Sequence, residues 1–193
     1  MASIHAIKMY KQQDRTTRWC NMNPHTEAFI HKLDLHPHPE GGYYRETYRA
    51  PLQVQSPHHV GARCALTSIY FLLDGTQHSA WHRVASDESW FFHLGADLHI
   101  YTLVPNPDGS SNAVRARTLG LSNQCFETTI PAGSWFAAKP ADGDSFSLVS
   151  CVVGPGFEFE DFELASREKL VAEGYERHPD WRLIEPLLTT SSL

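Results

Sequence analysis

The feature that most constrains this chain is a succession of short apolar or alternating runs between Tyr43 and Phe162, each cut off by Gly, Pro, Asn or Asp. The runs are YYRETYRA, CALTSIYFLL, ESWFFHL, DLHIYTLV, CFETTI, GSWFAA, FSLVSCVV and GFEFEDFEL. They are short for helices and rich in aromatic and β-branched residues, which pack well on a pleated surface. So many strands with regular turn signals predict an all-β sandwich or barrel. The 12 Gly and 12 Pro agree, since a helical bundle has little use for them.

Helix signals flank this region. In NPHTEAFIHKLDL, Asn23 is placed to cap, Pro24 suits the first helical position, and Phe29, Ile30 and Leu33 form an apolar stripe. Near the other end Ser166 caps REKLVAEG, Gly174 closes it, and Asp180 opens WRLIEPLL. Residues 1–22 are polar and aperiodic and read as a mobile extension. The expected organisation is therefore an extension (1–22), a β-domain (23–178), and a C-terminal helix and tail (179–193).

Charge and cysteine usage exclude several classes. A net charge of −6 with no Lys/Arg run argues against a nucleic-acid or anionic-membrane partner. Cys20, Cys64, Cys125 and Cys151 are scattered without a C-x-x-C pair, so no zinc knuckle or disulfide framework is expected. Cys64 and Cys151 lie in apolar runs and read as small core residues. With no secretory h-region and no long apolar span, the expected setting is the cytoplasm. The terminal SSL lacks the basic middle residue of a peroxisomal address.

Chemistry concentrates in GTQHSAWHRVASDESWFFHLG, Gly75 to Gly95. Alternation after Asp87 puts Glu88, Trp90, Phe92 and Leu94 on one strand face and Phe91 and His93 on the other. An acid sharing a face with aromatics is costly unless paired or protonated, which marks Glu88 as a functional group. Upstream, HPHPEGGYYRE alternates His36, His38 and Glu40 on a chain its prolines hold extended, a pattern open to a second metal site; its prolines and glycines fit better a structural lead-in to the first long strand.

These phrases, with TSIYFLLDG, IPAGSWFAA and VVGPGFEFEDFELASREKL, resemble in collinear order the Cupin_5 family of small cupins, over roughly residues 33–175. The resemblance implies a double-stranded β-helix (jelly-roll, cupin) barrel with a pocket in its mouth, commonly paired as a homodimer. Metal cupins hold their ion with two histidines and a glutamate from a first motif and a histidine from a second. Here His82 and Glu88 fill two of those places. The other first-motif histidine should lie near Ala80 or Trp81, and the second-motif histidine falls on Phe136. Two ligands hold a divalent ion poorly, so no cofactor is expected; if a metal binds, its ligands are His82 and Glu88. Family members often carry histidine at Phe91 and glutamine at Phe136, and these replacements imply a less polar ligand.

The expectation is thus an enzyme with His82 and Glu88 as an acid–base pair. Tyr43, Arg45, Tyr70, Trp90, Phe92 and Phe136 are the expected substrate contacts, with Arg45 gripping a carboxylate or carbonyl. Isomerase, epimerase or cyclase chemistry on a small, fairly apolar carbonyl metabolite fits best, as in secondary metabolism. A metal-dependent oxygenase or lyase, and a ligand-binding cupin without turnover, remain alternatives.

Overall fold

The computed structural model describes residues 23–104 and 113–188. The expected N-terminal extension and the last five residues lie outside them. Two antiparallel sheets face each other. The first holds, in spatial order, β1 (His36–Pro37), β2 (Tyr43–Arg49), β5 (Thr67–Asp74), β12 (Phe146–Gly154), β7 (Asp87–Gly95) and β10 (Glu127–Ile130). The second holds β13 (Phe162–Leu164), β6 (Ser79–Val84), β11 (Phe136–Pro140), β8 (Leu98–Val104) and β9 (Ala113–Leu119). A small hairpin, β3 (Gln53–Gln55) with β4 (Ala62–Cys64), stands apart. This is the expected jelly roll, with short helices at both ends.

Three cores follow from the alternation of the strands. Between the sheets, Phe71, Trp90, Phe92, Val149 and Cys151 of the first meet Leu98, Ile100, Leu119 and Phe136 of the second. The outer face of the first sheet is covered by α1 (Pro24–Leu33), whose Ile30 packs with Tyr43, Leu72 and Leu148. Asn23 caps α1 as expected, accepting from the His25 amide at 2.8 Å. The outer face of the second sheet carries Trp81, Trp135 and Ala137. These are covered by α2 (Arg167–Ala172), α3 (Trp181–Ile184) and the turns around them. Ser166 caps α2 through the Lys169 amide at 3.1 Å.

Some expectations are corrected. β6 and β9 are strands that the apolar runs do not reveal. β6 reads as neither helix nor strand because both its faces are covered: Ala80, His82 and Val84 point inward while Trp81 packs outward. Phe157 and Phe159, in the run GFEFEDFEL, line a cavity mouth and do not join the core, and Phe159 is 44% exposed. A single 3-10 turn, Phe159–Asp161, breaks the run GFEFEDFEL before β13 begins at Phe162. Arg63 holds that turn by a bidentate pair to Asp161 at 2.7 and 3.0 Å.

Candidate active site

A cavity of about 160 Å³ opens at one end of the barrel, between the sheets. Both sheets and two connecting segments build it. β7 supplies Glu88 and Trp90, opposite Val153 and Cys151 of β12. β6 supplies His82. The segment joining β1 to β2 supplies His38 and Glu40. β2 and the Phe157–Phe162 stretch form the mouth.

Glu40 is the centre of the polar group. Its Oε1 accepts from the Ser79 hydroxyl at 2.8 Å. Its Oε2 lies 3.3 Å from His82 Nε2 and 3.4 Å from His38 Nδ1. His82 Nδ1 donates to the Ala80 carbonyl at 2.7 Å, so in the neutral ring Nε2 presents a lone pair to Glu40. His38 Nδ1 accepts from the Glu40 amide at 3.4 Å, so its ring proton sits on Nε2. One carboxyl oxygen therefore faces two imidazole lone pairs, an arrangement that suits a protonated Glu40.

Burial drives the charges the same way. Glu40 and His82 are almost fully enclosed, and loss of hydration disfavours whichever form is charged. It pushes the Glu40 carboxyl well above its ordinary range, with the neighbouring Glu88 carboxyl adding to the effect. It depresses His82 to about 4 and, with help from His82, His38 to about 3. Glu88 is raised to about 7 by burial, a rise moderated by the Cys151 thiol and the Trp90 indole beside it. Burial thus favours neutral forms in the inner cavity: uncharged His38 and His82, a proton on Glu40, and a Glu88 carboxyl that changes state near pH 7.

Aromatic rings fix these groups. Phe136, paired with His82 across β11 and β6, packs on it at a centroid distance of 4.0 Å and meets Trp90 edge-on at 6.0 Å. His38 is held edge-on by Tyr44 at 4.6 Å. At the mouth, Arg49 donates to Glu46 at 2.8 and 3.1 Å and to Glu158 at 2.6 Å, tying β2 to the Phe157 segment. A register shift at Thr47 lets both Glu46 and Arg49 face the mouth.

The expected residues distribute unevenly. His82, Glu88 and Trp90 line the cavity as the alternation of β7 and the family motif require. Phe92 and Phe136 lie in the inner core and support the wall without forming it. Tyr43, Arg45 and Tyr70 are corrected: β2 turns its other face inward, so Tyr44 and Glu46 line the cavity. Tyr43 packs in the core under α1, and Tyr70, which pairs with Arg45 across the sheet, packs at the rim of that core. The alternation of YYRETYR fixes two faces but not which is inside, because aromatic and charged residues occur on both. Phe91 also faces away, so its replacement of a polar family residue says nothing about the ligand. Sequence reasoning missed His38 and Glu40 as site residues, although their alternation was visible. It also read Cys151 as core alone, whereas the thiol forms part of the cavity wall beside Glu88.

Among the described residues no group of three or more His, Cys, Asp or Glu side chains is arranged to hold a metal ion.

A jelly-roll barrel with an enclosed carboxyl–imidazole cavity at its mouth defines the cupin class. More narrowly, residues 27–165 match the Cupin_5 family (Cupin superfamily, DUF985), and the chain belongs to that family. It is 30% identical to the Saccharomyces cerevisiae protein YML079W over 148 residues, which cover 70% of this chain and 72% of that one. Among solved structures it is similar to a hypothetical protein from Leishmania major, with 34% identity, TM-score 0.74 and coverage of 84% and 97% of the two chains. A protein from Shewanella oneidensis is comparable, at 36% identity, TM-score 0.72 and coverage of 86% and 98%. No helix among the described residues is long and apolar enough to cross a membrane.

Proposed function

We propose that this protein is a metal-independent acid–base enzyme, an isomerase, epimerase or cyclase acting on a small, fairly apolar carbonyl compound. The observation that carries the reading is a pair of buried carboxyl groups, Glu40 and Glu88, facing one aromatic cavity with two imidazoles against one of them. Their environments separate their proton affinities, which is how one site runs acid and base steps together. Cavity size supports a small ligand: a cavity of roughly 150 Å³ accommodates a molecule of benzene size.

In the proposed step Glu88, as carboxylate, removes a proton from the carbon next to the carbonyl. The C–H electron pair moves into the carbonyl system and gives an enolate. Glu40 then releases its Oε2 proton to another carbon, or to the other face of the same carbon. Glu40 becomes a carboxylate flanked by His38 and His82, and proton exchange with solvent resets both acids. His82 is a positioning residue in this scheme, since its ring nitrogens face Glu40 and the Ala80 carbonyl.

The test is deuterium incorporation in D₂O, followed by NMR, over a set of small cyclic ketones. The wild-type rate should rise as pH increases through about 7, where Glu88 ionises. Glu88→Gln and Glu40→Gln should each lower the rate by about 10²- to 10⁴-fold, the range of positioned general acids and bases. Dialysis against a chelator should leave the wild-type rate unchanged. Exchange that survives both substitutions in folded protein, or vanishes with the chelator, defeats the proposal.

A further inference from the structure

Trp90 is 1% exposed, and its indole Nε1–H is a buried donor with no hydrogen-bond partner. Such a group is destabilising unless something accepts from it. The ring lines the cavity, edge-on to Phe71 and Phe136, so it is locked in place and cannot turn to find an acceptor elsewhere. The indole lies beside the Glu88 carboxyl without reaching hydrogen-bond geometry to it.

The charges around the cavity limit what that acceptor is. Four carboxyl groups, of Glu40, Glu46, Glu88 and Glu158, line it. Among the described residues Arg49 is the one Lys or Arg on its wall, and it already serves both Glu46 and Glu158. An anionic ligand would meet the Glu88 carboxyl, which no cation neutralises, and no available Lys or Arg, and desolvating it there would be strongly unfavourable. An uncharged oxygen avoids that penalty and satisfies the indole.

We infer that the Trp90 Nε1–H is the subsite that receives the ligand's oxygen, and that the ligand is an uncharged ketone or aldehyde rather than a carboxylate. The inference rests on the reading that this cavity is the ligand site. It deepens that reading by naming the group that orients the substrate. With the oxygen on Trp90, the adjacent carbon falls next to Glu88, and charge that develops on the oxygen during proton removal is met by a preorganised donor.

The experiment uses the full chain labelled with ¹⁵N at tryptophan, the Trp90 indole signal being assigned by its loss in Trp90→Phe. Three probes of matched ring size are titrated: cyclohexanone, methylenecyclohexane, which lacks the oxygen, and cyclohexanecarboxylate. Cyclohexanone should move the Trp90 indole proton downfield and methylenecyclohexane should not. Trp90→Phe should weaken cyclohexanone about three- to tenfold more than it weakens methylenecyclohexane, the worth of one neutral hydrogen bond. Cyclohexanecarboxylate should bind weakest. Should Trp90→Phe fail to fold, a preference of the unaltered protein for the ketone over the alkene, with the downfield shift confined to one indole, carries the test. Equal binding of ketone and alkene, no ketone binding at all, or tighter binding of the carboxylate overturns the inference. Ketone binding at Trp90 without deuterium exchange would instead defeat the acid–base reading and leave this subsite standing.

Discussion

Glu88 is 7% exposed and carries its proton to about pH 7, against 4.5 for an ordinary glutamic acid. A folded-state pKa raised above the unfolded one means that the native state binds the proton more tightly. The associated stability is complete below about 4.5 and is lost as pH rises through 7. His38 and His82 act in the opposite sense: their depressed values make stability fall as pH drops from 6.5 toward 3 to 4. Between about 4.5 and 6.5 these slopes oppose each other. Glu88→Gln removes one of them. The variant should gain on wild type progressively from pH 4.5 to 7, by up to about 3 kcal/mol, and hold that gain above pH 7. Urea unfolding across this range checks it; a stability difference that does not change with pH would show that Glu88 is not held protonated by burial.

At the scale of elements, the site depends on how closely backbones approach one another. Glu40 is placed by the β1–β2 connection, where its carbonyl accepts from the Ala80 amide at 2.8 Å. The next residue, Gly41, has φ +109°, and a Cβ there would overlap the His78 carbonyl oxygen. No side chain fits this contact, and the backbone conformation is itself one that L-residues rarely adopt. Gly41→Ala should therefore cost several kcal/mol, since backbone strain and overpacking act together at this position. It should also impair exchange more than Gly133→Ala, whose added Cβ meets nothing within 4 Å. Thermal unfolding of both variants checks this, and equal losses would remove the close approach as the reason for glycine here. Sequence reading succeeded on β7, where an acid alternates with large rings, and failed on β2, where both faces carry tyrosine and charge. It failed on β6 because a strand covered on both faces has no polar side to alternate with.

For the whole molecule, the outer helices belong to the stability of the barrel. Trp81 Nε1 donates to the Ile184 carbonyl at 2.8 Å, and Ile184, Leu187 and Leu188 close the core over Trp81 and Trp135. Trp81 shares β6 with His82, so the covering of one face supports the site on the other. A chain ending at His178 loses three buried aliphatic side chains, at about 1.5–3 kcal/mol each, and uncovers apolar surface. It should unfold at a markedly lower temperature and aggregate; a melting temperature equal to the full chain's would show that the C-terminal segment is only an appendage. By itself the sequence determined an all-β sandwich or barrel, which its family resemblance narrows to a jelly roll, the Asn23 and Ser166 caps, and the inward face of β7, because turn residues, capping side chains and period-two alternation are local signals. Only the tertiary structure decided that His38 and Glu40 meet His82, that Tyr44 rather than Tyr43 lines the cavity, and that Arg49 rather than Arg45 stands at its mouth. Those contacts join residues far apart in the chain, and the choice between two chemically similar strand faces is made by what packs against each.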